Sequence, residues 1–204
     1  MPLSSVVGAQ SIIRPGVCTS STRPASPYDG QVIYETDTDQ MLVYDSTAWK
    51  FIGPQAEEIS IFNETQASGT NGGTFTSGSW AKRTLNTTVV NNIAGCSLSS
   101  SVITLTAGTY QVQAYSQGFK VDLHQARLQN TTASITLATG TNAYAASAND
   151  VSNTSIIDTI FTLTGSTTIE LQSRCSTTCS TNGLGPANTF GDQVFRSTTI
   201  RRMG

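Results

Sequence analysis

Charged residues are scarce in this chain of 204 residues. Asp, Glu, Lys and Arg together make up 12% of it, about half the ~25% of an average soluble domain. The formal net charge is −2, so the sequence offers no basic surface of the kind that binds nucleic acid. Ser, Thr, Asn, Gln and Gly are abundant instead, which suits short strands and tight turns. We therefore expect no nucleic acid partner.

Long apolar segments are absent as well. No run approaches the ~18 residues of a transmembrane helix. The start Met1-Pro2-Leu3 also lacks the positive charge and the apolar stretch of a signal peptide. We expect no membrane insertion and a chain that begins as a soluble protein. If it acts outside a cell, release by lysis inside a particle is one route.

Residue types that carry catalysis are few. His124 is the only histidine, and on a predicted strand it is more typical of a surface or packed residue than of a catalytic base. The turn Asp37-Thr38-Asp39 lacks the full pattern of a calcium loop. A glycosidase needs two paired carboxylates, whereas the acids here are scattered: Asp122, Asp150, Asp158, Glu170 and Asp192. We predict that the protein is not an enzyme and holds no cofactor or metal.

The four cysteines leave two alternatives open. Cys175 and Cys179 are separated by three residues and precede a loop at 182–186 that contains Asn-Gly and Gly-Pro, so they are candidates for a small disulfide in an extracellular particle. A zinc site is the weaker alternative, because Cys18 and Cys96 lie far away in sequence and the histidine has no partner at a ligand spacing.

Alternation of apolar and polar residues is clearest between Ser101 and Gly118. Ile103 and Leu105 alternate with Thr, a turn follows at 107–109, and Tyr110, Val112 and Ala114 alternate with polar residues, which predicts a β-hairpin with one apolar face. Residues 155–171 have nearly the same pattern around Gly165-Ser166 and predict a second hairpin. Each apolar face needs a covering layer, so the sequence predicts an all-β jelly-roll sandwich.

The N-terminal quarter of the chain has a different pattern. Residues 2–27 contain several prolines, which predict an extended arm. This arm is either a loose terminus or a segment that becomes ordered on a partner. Three short strands separated by acidic turns form a small β-meander that follows the arm: Val32–Tyr34, Met41–Tyr44 and Trp49–Ile52. We predict an arm and a three-stranded attachment module at 1–53 and a knob at 54–204.

The segment from Arg23 to Asp39, closed by Ala48-Trp49, closely resembles a short module that recurs in structural proteins of tailed bacteriophages. Tail fibres, minor tail proteins and head-decoration proteins contain similar segments. The resemblance implies a structural protein on the virion surface, assembled in the host cytoplasm. It does not distinguish between the head and the tail of the particle.

The region from Glu57 to Met203 resembles, more loosely, the jelly roll of tumour necrosis factor (TNF) and complement C1q. The similarity lies in residues 107–110, which open a strand, in the hairpin around Gly165, and in the final strand 195–201. It implies a homotrimer whose inner aromatic residues are buried on the threefold axis. The long polar insert at 139–154 departs from the family pattern.

Three functional hypotheses follow. The first is a homotrimeric capsid decoration or cement protein, docked on the particle by its N-terminal segment. The alternative is a short tail fibre or spike whose knob binds a host surface glycan or protein. A long fibre is disfavoured because no heptads, Gly-X-Y repeat or β-helix period lies between the two parts. A third hypothesis, a depolymerase of host glycans, lacks paired cleft acids.

The N-terminal segment supplies the candidate contacts with the particle. They are apolar, aromatic or cationic residues that would contact the major capsid protein, or a tail or baseplate protein. Three identical arms would then bind together, so that weak single contacts add up through effective concentration. The candidate docking residues are Ile12, Ile13, Arg14, Arg23, Tyr28 and Trp49.

Overall fold

The computed structural model describes residues 15–53 and 57–203, and this part of the chain forms sixteen β-strands and no helix. No membrane-spanning helix is found in the described ranges. The chain divides into two compact units, Met1–Ala56 and Glu57–Gly204, called here the first and the second unit. The predicted all-β class is confirmed.

The first unit is a single four-stranded sheet. Its strands, in spatial order, are β1 (Gly16–Cys18), β2 (Val32–Glu35), β3 (Gln40–Tyr44) and β4 (Trp49–Phe51). Strands β2 to β4 form the predicted antiparallel meander, whereas β1 runs parallel to β2. The prediction of three strands is wrong by this one strand, which lies within the proline-containing segment predicted as an extended arm.

One face of this sheet is well packed. Ile33 and Leu42 are cross-strand partners and are almost fully buried. Glu35 is buried on the same face, since it lies two residues beyond Ile33. Its carboxylate accepts hydrogen bonds from Arg23 and from the Thr38 hydroxyl. The ion pair with Arg23 holds the pKa of Glu35 below its usual range.

The second unit is a sandwich of two sheets. The first sheet has five strands, in the order β14 (Ser152–Leu163), β10 (Gly108–Phe119), β16 (Gln193–Met203), β5 (Ile59–Gln66) and β7 (Thr87–Asn91). The path of the second sheet is β12 (Ile135–Thr139), β11 (Asp122–Asn130), β15 (Thr167–Cys175), β9 (Val102–Leu105) and β8 (Ser97–Ser99). Two short strands complete this seven-stranded sheet: β13 (Ala143–Ala145) beside β11, and β6 (Ala81–Lys82) beside β15.

The core lies between the two sheets and follows the alternation that the sequence shows. Leu105 and Tyr110 are fully buried, and the Tyr110 hydroxyl donates to the Thr106 carbonyl at 3.1 Å. Ile157 and Leu163 are buried too, and Phe161 packs against them in the same cluster. The residues predicted to face inward from these three strands therefore do so.

The two predicted hairpins, however, are wrong. Strands β9 and β10 follow one another in sequence but belong to different sheets: β9 pairs with β15, and β10 pairs with β14. Each short turn, at 106–107 and at 164–166, thus carries the chain from one sheet to the other. Alternation places an apolar set on an inner face, and both sheets of a sandwich have one, so the pattern does not determine which strands pair.

A buried ion pair joins the central strand β16 of the five-stranded sheet to its neighbour β5. Arg196 and Glu64 are cross-strand partners, their side chains are 0% and 2% exposed, and they form a salt bridge. A β-bulge between Val194 and Arg196 turns both Phe195 and Arg196 inward. Burial alone lowers the pKa of Arg196 to about 9, which still leaves the guanidinium charged at neutral pH.

Candidate functional site

The unpacked face of the first unit carries an apolar row. Val17, Tyr34 and Met41 are cross-strand partners on β1, β2 and β3, so they share one face. Val17 is 69% exposed and Met41 is 41% exposed. Val32 and Val43 form a second, half-buried pair on that face. We call these five residues the attachment face; alternation along β2 and β3 could have indicated it.

The three predicted docking residues that the structure describes have different surroundings. Arg23 is engaged by Glu35 inside the first unit, which is a structural role. Trp49 packs on Tyr44, with ring centroids 5.4 Å apart. Tyr28 is the most exposed of the three at 69%, and the Arg23 side chain is 39% exposed. The remaining candidates lie outside the described residues: Ile12, Ile13 and Arg14.

The acidic turns of the first unit are satisfied by their own surroundings. Asp37 accepts hydrogen bonds from the Ser20 amide at 2.9 Å and from the Ser20 hydroxyl, and these bonds lower its pKa. The Asp39 carboxylate accepts from the Tyr34 hydroxyl, which raises the pKa of that tyrosine. Asp45 accepts from Thr47 and Ala48, and its pKa is lowered to about 2. All three carboxylates act as turn residues.

The second unit has its own exposed apolar face, on the outward side of the five-stranded sheet. Ile156 and Ile160 on β14 are 54% and 60% exposed. On the neighbouring strand β10, Tyr115 lies opposite Ile156 and Gln113 lies opposite Asp158. Alternation along β14 could have indicated this surface, because its inward residues are apolar and two outward ones are isoleucine.

A cavity of about 620 Å³ lies on this outward face. Its lining includes Gln113, Tyr115, Ile156 and Asp158, together with Thr199 of the central strand β16. Burial raises the pKa of the half-buried Tyr115, so its hydroxyl stays neutral at physiological pH. The lining thus combines aliphatic, aromatic and neutral polar groups with a single carboxylate. We call the surface around this cavity the association face.

Three of the four cysteines and the histidine lie in the second unit, whereas Cys18 lies in the first. Cys18, Cys96, Cys175 and Cys179 are free thiols in the structure, so the candidate disulfide between the last two is not formed there. The Cys175 thiol is buried against the Phe75 carbonyl at 3.8 Å. Within 15–53 and 57–203, no group of three His, Cys, Asp or Glu side chains is placed to hold a metal ion.

His124 points into the sandwich rather than to solvent. It is 4% exposed, and its ring lies edge-on to Phe75 at 6.5 Å between centroids. Its Nδ1 lies 3.4 Å from the Asp122 carbonyl, and its Nε2 has no partner among the described residues. Burial lowers the pKa of the imidazole. The arrangement is that of a packed core residue, one of the two roles expected for it.

Comparison with known proteins gives a fold and no family. No family model and no curated protein matches the chain. Among solved structures, Eiger TNF from S. frugiperda covers 74% of this chain and 94% of its own, with a TM-score of 0.50 and 12% identity. The second unit has a TNF-like jelly-roll fold. At this identity the similarity shows the fold alone.

Two further solved structures resemble the same jelly roll. The globular domain of zebrafish complement 1qA covers 73% of this chain and 98% of its own, with a TM-score of 0.46 and 12% identity. PRD1 vertex protein P5 covers 74% of this chain and 100% of its own, with a TM-score of 0.42 and 14% identity.

Proposed function

We propose that this protein is a structural component of a tailed-bacteriophage virion, assembled in the host cytoplasm and displayed on the particle surface. In this proposal the second unit forms a homotrimer, and the first unit docks the trimer onto the major capsid protein as a decoration or cement protein. Its role is binding and structural rather than catalytic. The proposal rests on the phage-type segment from Arg23 to Asp39 and on two exposed apolar sheet faces.

The association face is the observation that carries the proposal. Ile156 and Ile160 expose most of their side chains on the outward face of this sheet, on either side of Asp158. Exposed apolar side chains with a polar surround are typical of an interface. Tyr115 beside them supplies an aromatic anchor. Three copies related by a threefold axis would each bury this surface, which is the arrangement that the jelly-roll resemblance implies.

The attachment face supplies the second part of the proposal. Each first unit is a sheet of only four strands that leaves Val17 and Met41 exposed. One attachment face binds the particle weakly, but a trimer has three. Once the first has bound, the second and third are held at a high effective concentration near their sites, which raises the total affinity by orders of magnitude. A cement protein needs this property, because it must remain bound to a particle at low free concentration.

A short tail fibre or spike is the second candidate. It is favoured by a cavity on the outward face of the seven-stranded sheet that combines an aromatic side chain with polar ones, Trp80 and Arg174 among them. Such a surface is suited to a receptor rather than to a capsid lattice. In this alternative the first unit docks onto a tail or baseplate protein, and the knob meets the host surface.

The native mass of the purified chain tests the trimer. We expect light scattering behind a sizing column to give three times the 21.5 kDa of the chain. The double variant Ile156→Asp/Ile160→Asp places carboxylates on the association face and should give a monomer, whereas Ile135→Asp, an exposed residue of the other sheet, should leave the trimer intact. A monomeric unsubstituted protein would refute the proposal.

Particle labelling separates the two locations. Protein that carries a gold label at residue 203 is added to particles assembled without this protein, and the label is then located on the particles by electron microscopy. Label distributed over the capsid supports the decoration protein, whereas label confined to the tail or baseplate supports the spike. Label on neither structure would remove the virion assignment altogether.

A further inference from the structure

Four side chains lie in one row across the outward face of the seven-stranded sheet. Arg174 on β15 is the direct cross-strand partner of Gln125 on β11. Trp80 precedes β6 and extends the row on one side, because Ala81 pairs with Ser173. Asn142 precedes β13 and extends it on the other side. With strands ~4.8 Å apart, three intervals make a row of about 14 Å, the length of two to three sugar rings.

A cavity of about 510 Å³ lies over this row, and all four side chains line it. No Asp or Glu is among its lining residues. Arg174 is exposed and forms no ion pair with any carboxylate of the described residues. Arg174 is the only Lys or Arg among the lining residues, and no carboxylate of the lining compensates its charge.

The polar end of the row is fixed in position. Gln125 Nε2 donates to Asn142 Oδ1 at 2.8 Å and to the Gly140 carbonyl at 2.9 Å. These bonds use the amide donors of Gln125 and leave its Oε1 as an acceptor and the Asn142 amide nitrogen as a donor. One acceptor and one donor side by side match the hydroxyl groups of a sugar, each of which both donates and accepts.

The aromatic end of the row is fixed as well. The Arg127 guanidinium lies over the Trp80 ring, 4.5 Å from its centroid, and Arg127 is held in turn by Gln172 Oε1 at 2.9 Å. Arg127 does not line the cavity, whereas Trp80 does. Part of the half-buried Trp80 indole thus remains free to contact the apolar surface of a ligand. Arg127, itself fixed by Gln172, holds the indole in place.

We propose that this row is a binding site for a carboxylated sugar, such as a uronic or sialic acid at the end of a glycan. Arg174 pairs with the carboxylate, and a guanidinium offers two parallel N–H donors to it. The apolar face of the pyranose ring packs on Trp80. Gln125 and Asn142 bind ring hydroxyl groups. A neutral sugar leaves Arg174 unpaired, so the site favours the acidic one.

Tryptophan fluorescence gives a direct test on the full chain. The chain has two tryptophans, and Trp49→Phe leaves Trp80 as the single reporter. This variant is titrated with sodium galacturonate, glucuronate and N-acetylneuraminate to about 100 mM, because one sugar in an open groove binds weakly. Galactose, glucose and sodium acetate at matched ionic strength are the controls. We expect a saturable change with at least one acidic sugar, and at least tenfold weaker binding of every control.

Two further variants identify the recognising group. Arg174→Gln should weaken binding of the acidic sugar at least tenfold, since it removes a charge-assisted hydrogen bond. Lys50→Gln removes one exposed positive charge from the first unit and should leave binding unchanged. The proposal is overturned if no acidic sugar binds, if neutral sugars or acetate bind equally well, or if Arg174→Gln has no larger effect than Lys50→Gln.

Discussion

The buried ion pair between Arg196 and Glu64 allows a quantitative prediction. Replacing Glu64 by Gln keeps the shape of the side chain but leaves the Arg196 guanidinium, which is 0% exposed, without a counter-charge. Removing one partner of a buried pair costs about 3–5 kcal/mol. For a domain of this size each kcal/mol lowers Tm by about 2–4 °C. We therefore expect Glu64→Gln to lower Tm by about 6–20 °C.

Thermal unfolding followed by circular dichroism measures this loss. The matched control is Glu57→Gln, which removes one partner of the exposed pair between Glu57 and Arg201, where the side chains are 63% and 36% exposed. Exposed pairs contribute little, so the control should leave Tm unchanged within error. The double variant Glu64→Leu/Arg196→Met should recover most of the loss, because it removes both buried charges at once.

The pH dependence of the Glu64→Gln variant tests the cause. Burial lowers the pKa of Arg196 to about 9 in the folded protein, and loss of the Glu64 carboxylate lowers it further, because a nearby anion favours the charged form. The pKa in the unfolded chain is far higher. Above pH 9 the unfolded chain then binds more protons than the folded one, so the stability of the variant should rise with pH. Equal losses in Glu64→Gln and Glu57→Gln, or no recovery in the double variant, would refute this account of the pair.

Three further predictions concern other parts of the chain. The double variant Val17→Lys/Met41→Lys on the attachment face should abolish particle binding, measured by cosedimentation, and should leave the native mass unchanged. The control Val89→Lys, at an exposed position of the second unit, should leave both particle binding and native mass unchanged. Burial raises the pKa of Cys175 to about 11, so at pH 8 about one Cys175 thiol in a thousand is ionised. Mass spectrometry should therefore show that Cys175 is alkylated at least tenfold more slowly than Cys18. A disulfide bond between Cys175 and Cys179 would contradict this prediction. Burial lowers the pKa of His124, so as pH falls through about 6.5 the unfolded chain binds a proton at His124 before the folded protein does. The free energy of unfolding, measured in urea, should therefore fall below about pH 6.5 in the unsubstituted protein but not in His124→Asn.

The inward faces of the second unit could be predicted from the sequence because a strand has a period of two. Ile103, Leu105, Tyr110 and Val112 all lie in the core, as their alternation indicates. The strand pairing could not be predicted, since the same alternation fits a hairpin within one sheet and a crossing between two sheets. Only the cross-strand contacts of the folded chain, β9 with β15 and β10 with β14, distinguish the two.

The sequence indicates less about the candidate sites, for physical reasons that differ from one site to another. Tyr28, a predicted docking residue, is exposed. Arg23 forms an ion pair with the buried carboxylate of Glu35, which no local pattern reveals. The row from Trp80 to Asn142 joins residues that lie on or next to four strands distant in sequence, so it exists only in the folded sheet. Arg196, Thr198 and Ile200 are spaced by two residues and all face inward. This spacing was the available signal for a buried cation.

The position of β16 bears on how the chain folds. This strand, Gln193–Met203, is the last in sequence and lies between β10 and β5 in the five-stranded sheet, so residues near 200 pair with residues near 60. Contacts at such separation make folding slow, because a long loop must close before they form. The second unit therefore folds only after its final strand has left the ribosome, whereas the local meander β2–β4 of the first unit can form while synthesis continues.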